Sequence, residues 1–168
     1  MSLFDDITAA GKVVPVLSFN NKNEALKTCQ TLSEAGMRVF EITLRNDQAL
    51  DILAACLKHL PADSIIGAGT ILTAEKLEAV IKIGAHFGVS PGLSSNLVRA
   101  IGQNALPMIP GVATVSEAMQ AQDQGFQMLK LFPAEQVGGA KLLGAMKAVL
   151  PHLNFMPTGG LNPDNAGD

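Results

Sequence analysis

The sequence predicts an α/β protein, a TIM-type (β/α) barrel, and three observations carry that prediction. Short apolar runs alternate with stretches of helical periodicity about every 20 to 25 residues. Glycine or proline breaks separate the two kinds of segment. Four of the predicted strands end in a proline-containing loop, where the missing amide donor stops the sheet ladder. Because strand ends that stop alike suit a ring, the barrel is preferred to its alternative, a doubly wound sheet.

The apolar runs define seven strands, which parallel βαβ units would bury on both faces. They cover residues 13–17, 38–44, 64–68, 86–90, 107–109, 127–132 and 153–156. Between them lie predicted helices, several of which close on a glycine such as Gly84. These helices cover residues 23–35, 48–59, 74–83, 95–102, 115–123 and 140–149. Leu3, Phe4 and Ile7 fit one face of a further short helix at the N-terminus.

Seven strands are one fewer than a closed (β/α) barrel requires. The last predicted strand is followed by 157–168, which begin a helix at Asn162-Pro163 and hold no eighth strand. We therefore expect either a barrel that is short at its C-terminal end or an architecture that is not a complete barrel. In both cases the length and apolar content predict one domain over residues 1–168.

Composition and charge exclude several classes of function. The formal net charge is −3 with no block of basic residues, so nucleic-acid binding is not expected. No apolar run is long enough to span a bilayer, and acidic residues stand where a secretory signal would carry positive charge. We therefore expect a cytoplasmic protein. Cys29 and Cys56 form no CxxC pair and the three histidines are scattered, so neither a metal site nor a disulfide is expected.

The second predicted strand carries an acid, a hydroxyl and a guanidinium on one face. Since side chains alternate along a strand, Glu41, Thr43 and Arg45 share one face, while Ile42 and Leu44 share the other. The apolar pair should pack against helices, which points the polar side chains into the barrel near its C-terminal mouth. The alternative is an exposed edge strand with one polar face.

The sixth predicted strand places a lysine inside the barrel by the same alternation. Leu129 and Leu131 should face the helices, which leaves Met128, Lys130 and Phe132 inside. Burial favours the neutral form of an amine, and a neutral amine is what carbinolamine formation requires. Alternate strands share layers in such barrels, so strands two and six can bring Glu41 and Lys130 together. The alternatives are a lysine that extends to the rim and a purely structural Glu41–Lys130 ion pair.

Two loops add candidate binding groups at the same end of the barrel. Thr70 follows the third strand and can offer a hydroxyl to a carboxylate. Thr158-Gly159-Gly160 follows the seventh strand, where glycines let backbone N–H groups approach an anion and where barrels often bind phosphate. A plain turn explains the two glycines equally well.

Seven motifs in this order resemble the 2-keto-3-deoxy-6-phosphogluconate (KDPG) aldolase family, which is also called the 4-hydroxy-2-oxoglutarate aldolase family. The resemblance runs from about Lys12 to the end of the sequence. Its motifs are Val14-Pro-Val16, Glu41-Ile-Thr-Leu-Arg45, Gly67-Ala-Gly-Thr70, Ser90-Pro-Gly92, Ile109-Pro-Gly111, Lys130-Leu-Phe-Pro-Ala-Glu135 and Pro157-Thr-Gly-Gly160.

The resemblance implies a trimeric class I aldolase on a (β/α)8 barrel, with no metal and no organic cofactor. Such an enzyme cleaves KDPG to pyruvate and glyceraldehyde 3-phosphate. By resemblance, Lys130 forms the Schiff base and Glu41 is the general acid and base. The same resemblance assigns the substrate contacts to Arg45 and Thr70 for the pyruvate carboxylate, Pro91 and Phe132 for the pocket wall, and Thr158, Gly159 and Gly160 for substrate and phosphate. Family members continue through an eighth strand, whose following loop adds a Gly-Ser element to the phosphate site.

Three rival functions are weighed beside this one. The same lysine and acid would serve 2-keto-3-deoxy-6-phosphogalactonate or unphosphorylated 4-hydroxy-2-oxoglutarate. A non-catalytic barrel that binds a sugar acid, or that serves as a subunit of an assembly, has little use for a buried amine beside an acid. A barrel isomerase that binds phosphate at Thr158-Gly159-Gly160 leaves Lys130 without a role.

Overall fold

The structure is a computed structural model that describes residues 3–166; Met1, Ser2, Gly167 and Asp168, at the ends of the predicted 1–168 domain, lie outside the described residues. Its helices are α1 Leu3–Ala10, α2 Lys22–Glu34, α3 Ala49–His59, α4 Ala74–Ile83, α5 Ser95–Gly102, α6 Val115–Asp123, α7 Ala134–Val137 and α8 Gly139–Val149. Its strands are β1 Val16–Leu17, β2 Val39–Thr43, β3 Ile65–Gly69, β4 Phe87–Val89, β5 Met108–Ile109, β6 Gly111–Val112, β7 Met128–Leu131 and β8 Asn154–Pro157.

All strand pairs are parallel, and the strands follow one another in chain order. β1 to β5 form one ladder and β6 to β8 form a second. The two ladders are separated at Pro110, which has no N–H to donate. The Pro110 carbonyl still accepts a hydrogen bond of 2.8 Å from the Lys130 N–H, and this bond joins the fifth predicted strand to the sixth. The predicted alternation of seven strands with helices is therefore confirmed. The fifth strand, predicted over 107–109 and expected to end in a loop at Pro110, instead continues past the proline as β6.

Most helix bounds follow from capping residues that the sequence carries. The side chains of Thr73, Ser94 and Thr114 each accept a hydrogen bond from the first turn of the helix that follows. Gly84 closes α4 in the left-handed conformation, with φ of +87°. The predicted helices 74–83, 95–102 and 115–123 are confirmed at both ends. Every helix in residues 3–166 is too short or too polar to cross a membrane.

The two faces of the sheet have separate apolar cores. Phe40, Ile42 and Leu44 pack outward with residues of α2, α3 and α4. On the inner face, Ile7 of α1 packs against Phe87 and neighbouring strand residues, so α1 covers the N-terminal end of the barrel. Toward the other helices, Leu129 packs with α6, and Leu131 packs with α7 and α8. The predicted outward orientation of Ile42, Leu44, Leu129 and Leu131 is therefore confirmed.

The first and last strands differ from the prediction of strands buried on both faces. Within residues 3–166, β1 pairs only with β2, and β8 pairs only with β7. Val13 is 67% exposed and Val16 is 38% exposed, so the predicted strand 13–17 is reduced to two residues. A strand with one neighbour lacks half of the hydrogen bonds that would hold it. A cleft of 740 Å³ lies between these edges, lined by apolar side chains such as Val14 and Met156.

Two further local features differ from the prediction or are only partly described. Helix α7 is absent from the sequence prediction, because four residues are too few to show helical periodicity. The helix predicted to begin at Asn162-Pro163 is a turn over the described residues 163–166. Asn162 still has the bonds of the predicted N-cap, because its side chain accepts from the Asp164 N–H and its carbonyl accepts from the Ala166 N–H.

Cys29 of α2 and Cys56 of α3 lie together between their helices. Both thiols are free, and both residues are fully buried in the outer core. The hydrogen bond that Cys29 shares with Cys56, together with burial, raises the pKa of the Cys29 thiol. The spacing of the two residues in the sequence did not indicate that they meet.

Candidate active site

Glu41 and Lys130 lie side by side in the interior of the barrel. The Lys130 Nζ is 3.5 Å from the Glu41 Oε1, and the two side chains are 7% and 1% exposed. Glu41 is the third residue of β2 and Lys130 the third residue of β7, and both project from the inner face of the sheet. The predicted pairing across one barrel layer thus places an amine and an acid in contact, away from bulk water.

The Glu41 carboxyl fits because the neighbouring strand has a glycine beside it. Gly69 ends β3 and lies in register with Thr43. A Cβ atom at Gly69 would overlap the Glu41 Oε1 and would lie 2.7 Å from Cδ. The carboxyl group therefore extends from Glu41 toward the mouth, over the backbone of β3. Sequence reasoning included Gly69 in a motif but gave it no role.

Burial dominates the electrostatics of Glu41. Loss of hydration raises the pKa of this carboxyl above its ordinary value of 4.5, although the positive charges of Lys130 and Arg45 act to lower it. Arg45 follows β2 at the mouth with an exposed side chain. A raised pKa makes a carboxyl group better able to hold a proton and return it, which suits a general acid and base.

Buried polar atoms without partners lie on the same inner face. The Oε2 of Glu41 and the Oγ1 of Thr43 are both buried, and neither atom has a hydrogen-bond partner within residues 3–166. Buried polar atoms in folded proteins are almost always hydrogen-bonded. The inner face of β2 therefore presents unused hydrogen-bonding capacity close to the Lys130 amine.

Phe132 and Pro91 form one side of the mouth. The Phe132 ring centroid is 5.2 Å from the Lys130 Nζ, within the range of a cation–π interaction. Both residues line a cavity of 520 Å³ that extends between α5 and α6. Lys130 and Glu41 themselves line neither this cavity nor the cleft between β1 and β8.

Thr70 has a backbone conformation that is unusual for its residue type. Its φ is +63°, and within residues 3–166 it alone combines a side chain with a positive φ. For a β-branched residue this conformation is strained, and such strain is concentrated at functional sites. Thr70 is half-buried immediately after β3, at the same end of the sheet as Arg45.

Thr158-Gly159-Gly160 forms a loop beside Phe132. The Thr158 N–H donates to the Leu131 carbonyl, but those of Gly159 and Gly160 have no acceptor within residues 3–166. Both glycines have positive φ, +100° and +78°, and a Cβ at Gly160 would lie 3.1 Å from the Glu135 Cγ. Gly159 lies against the Phe132 ring. Two free N–H groups in one loop can bind an anion.

The structure thus gathers the predicted site residues at one end of the barrel. Glu41, Lys130 and Phe132 form its centre, and the other predicted residues surround it on the loops after β2, β3, β4 and β8. Within the described part of the chain, no three His, Cys, Asp or Glu side chains are placed to bind a metal ion.

Comparison with known proteins gives a family match over nearly the whole chain. The family model described as "Aldolase: KDPG and KHG aldolase" matches residues 4–168. The KHG/KDPG aldolase of Escherichia coli (strain K12) is 40% identical over 164 residues, which are 98% of this chain and 76% of that protein.

Two solved structures are similar in both sequence and fold. A KDPG aldolase from Legionella pneumophila, with pyruvate captured at low pH as a covalent carbinolamine intermediate, has a TM-score of 0.90 and 38% identity over 95% of this chain and 77% of that one. The KDPG aldolase of Zymomonas mobilis ZM4 with 3-phosphoglycerate has a TM-score of 0.89 and 34% identity over 95% of this chain and 76% of that one. The predicted fold class, a TIM-type (β/α) barrel, is confirmed by these likenesses.

Proposed function

Since the chain belongs to the KDPG and KHG aldolase family, we propose that it cleaves KDPG to pyruvate and glyceraldehyde 3-phosphate through a Schiff base on Lys130. It is a carbon–carbon lyase of the Schiff-base class. The single observation that carries the residue assignment is the buried contact between Lys130 and Glu41, at 3.5 Å.

Lys130 is the nucleophile. Its neutral amine attacks the 2-oxo carbon of the substrate, and loss of water from the resulting carbinolamine gives an iminium ion. The amine is buried, 3.5 Å from the Glu41 Oε1 and 5.2 Å from the Phe132 ring centroid, so the attack takes place away from bulk water. The captured carbinolamine in the Legionella pneumophila relative supports this step.

Glu41 moves the protons. Its carboxylate takes the proton of the C4 hydroxyl while the C3–C4 bond breaks, and the bonding electrons pass to the iminium nitrogen. Glyceraldehyde 3-phosphate leaves, and the Glu41 carboxyl returns its proton to C3 of the enamine. Hydrolysis of the new iminium then releases pyruvate and restores Lys130. The raised pKa of Glu41 allows one group to perform both transfers.

Arg45 and Thr70 bind the carboxylate of the 2-oxo acid. A guanidinium can hold a carboxylate with two parallel hydrogen bonds, and the Thr70 hydroxyl adds a third donor from the neighbouring strand. Both residues follow their strands at the mouth, near Glu41. This placement would direct the 2-oxo carbon toward Lys130.

The loop Thr158-Gly159-Gly160 binds the phosphate end of the substrate, while Pro91 and Phe132 line the pocket. The unpaired N–H groups of Gly159 and Gly160 support the phosphate assignment. The 3-phosphoglycerate in the Zymomonas mobilis relative is consistent with it. We propose that no metal or organic cofactor takes part, because the iminium on Lys130 itself supplies the electron sink.

The experiment that tests this function measures pyruvate release from KDPG with a coupled lactate dehydrogenase assay. The wild type should turn over KDPG, and Lys130→Met should not. 2-Keto-3-deoxy-6-phosphogalactonate and 4-hydroxy-2-oxoglutarate, assayed in parallel, determine whether either alternative substrate is preferred. Binding of KDPG by the folded protein without any turnover would instead support a sugar-acid-binding barrel.

We also propose that residues 1–168 form one domain that assembles as a homotrimer in the cytoplasm. The trimer is implied by the family resemblance, and exposed apolar side chains such as Val13, Met119 and Val149 are available for contacts between subunits. Two reduced cysteines are consistent with the proposed compartment. Native mass spectrometry should give three times the chain mass of 17.5 kDa, and fractionation of source cells should recover the enzyme with cytosolic markers.

A further inference from the structure

Thr43 is a buried threonine on the same strand face as the proposed acid and base. The residue is 2% exposed, and its Oγ1 makes no hydrogen bond to any residue that the structure describes. Glu41, two residues earlier on β2, is fully buried and has an unpartnered Oε2. Two such atoms on one inner face indicate that a group outside the folded chain completes their hydrogen bonds.

The register of the sheet brings these atoms to one place. Thr43 lies opposite Gly69, and the Glu41 carboxyl occupies the space above Gly69. The carboxyl group therefore lies beside the Thr43 side chain, on the mouth side of the Glu41 backbone. Oε1 faces Lys130 at 3.5 Å, which leaves Oε2 as the oxygen for proton transfer.

Not every unpartnered hydroxyl in the chain has this placement. Ser64 is 4% exposed with an unpartnered Oγ, but it precedes β3 at the end of the sheet opposite to the mouth. Ser33 is similar in burial and lies in α2. These residues have the same chemistry as Thr43 without its proximity to Glu41, so Ser64 provides a matched control.

We propose that Thr43 is a positioning residue. Its hydroxyl group forms a hydrogen bond with the oxygen atom that exchanges a proton with the Glu41 Oε2. That oxygen belongs either to the C4 hydroxyl of the substrate or to one water molecule. The proposal rests on the proposed aldolase function. A threonine suits the role because its hydroxyl can donate and accept at once, and its branched side chain has few rotamers.

The protons balance as in the two transfers by Glu41 described above, and Thr43 is unchanged at the end of each reaction cycle. During cleavage the held C4 hydroxyl, or the held water acting as a relay, gives one proton to Oε2 while the C3–C4 electrons pass to the iminium. During product formation the same proton returns from Oε2 to C3 of the enamine, directly or through the water. Thr43 donates its own proton in a hydrogen bond to the held oxygen and keeps it.

The test compares Thr43→Val, Thr43→Ser and the control Ser64→Ala with the wild-type enzyme. Four properties are measured: the melting temperature, borohydride trapping of pyruvate on Lys130, kcat and KM for KDPG cleavage, and deuterium exchange into the methyl group of pyruvate. Thr43→Val should melt no lower than the wild type, because it removes a hydroxyl that has no partner. Borohydride should also trap as much pyruvate on Lys130 in this variant as in the wild type.

The expected loss lies in kcat, on the order of 10- to 100-fold, with KM nearly unchanged. Thr43→Ser should recover most of the rate because it restores the hydroxyl, and Ser64→Ala should match the wild type. A loss in both cleavage and methyl exchange assigns the held oxygen to water, since pyruvate has no C4 hydroxyl. A loss in cleavage alone assigns it to the substrate.

A Thr43→Val kcat within about twofold of the wild type would overturn the proposal. An equal loss in Ser64→Ala, or a loss explained by reduced adduct formation, would overturn it as well. These outcomes are distinct from failure of the proposed function, in which the wild type itself forms no adduct on Lys130.

Discussion

The carboxyl group of Glu41 occupies the space that a side chain at Gly69 would fill. The two residues lie on neighbouring strands, and a Cβ at Gly69 would come within 2.8 Å of the Glu41 Cγ. Because backbone and acid lie this close together, the direction of the carboxyl group depends on the absence of one carbon atom. The glycine at position 69 therefore allows the acid to take its place in the site.

Gly69→Ala should displace the carboxyl group and lower kcat by about 100-fold, since a shift of about 1 Å at a reacting group has this effect. Pyruvate should still form an adduct on Lys130. Gly102→Ala at the end of α5 is the matched control, because a Cβ there meets no atom within 4 Å. Steady-state kinetics of KDPG cleavage and borohydride trapping check both variants. A Gly69→Ala enzyme with wild-type kcat would contradict the geometry.

Glu41→Gln should change how stability depends on pH. Burial raises the pKa of Glu41 in the folded protein, so the folded state holds this proton more tightly than the unfolded state. The wild type should lose stability as pH rises from 4.5 to the raised pKa, with a slope of up to about 1.4 kcal/mol per pH unit. Glutamine does not titrate, so this loss should be absent from the variant.

Urea unfolding across that pH range measures the difference in free energy of unfolding between Glu41→Gln and the wild type. The difference should move in favour of the variant as pH rises and then become constant. The kcat of Glu41→Gln should be lower than that of the wild type by about 10²- to 10⁴-fold, the usual contribution of a general acid and base. If the free energies of unfolding of the two proteins changed in parallel with pH, burial would not raise the pKa of Glu41.

Thr70→Gly should raise the stability of the protein and at the same time weaken its binding of KDPG. Glycine adopts positive φ without steric cost, so removal of the strain at φ +63° should raise the free energy of unfolding by about 1 kcal/mol. Loss of the hydroxyl should at the same time raise KM for KDPG. Thr28→Gly in α2 is the contrast, since glycine has a lower helix propensity than threonine and should lower the free energy of unfolding by about 0.3 kcal/mol. A destabilised Thr70→Gly would mean that its conformation carries no strain.

Cys29 and Cys56 should resist alkylation in the folded protein. Both are fully buried, and the raised pKa of the Cys29 thiol lowers the amount of reactive thiolate. Iodoacetamide should modify both residues in urea and neither in native buffer over the same time, as read by intact mass. Modification at equal rates in the two solvents would show that the contact between α2 and α3 opens readily.

Strand alternation was sufficient to predict the centre of the site. The apolar residues Ile42 and Leu44 must face helices, and so must Leu129 and Leu131, which leaves Glu41 and Lys130 inside. This inference needs only the period of a strand and the burial of apolar surface. The same reasoning gave most of the helices, because their capping residues are local in the sequence.

The features that sequence reasoning missed depend on contacts between distant segments. The role of Gly69 follows from the register between β2 and β3, and the cysteine pair follows from the packing of α2 on α3. β1 has two residues and, within residues 3–166, pairs with β2 alone, which local hydropathy does not report. The positive φ of Thr70 goes against the preference of its residue type, so no local rule predicts it.

The central claim is that Lys130 carries the covalent chemistry, and borohydride reduction in the presence of pyruvate tests it most directly. Peptide mapping of the wild type should locate one reduced pyruvate adduct on Lys130, and Lys130→Met, shown to be folded, should carry none. An adduct on another lysine, or no adduct in folded wild-type protein, would contradict the account.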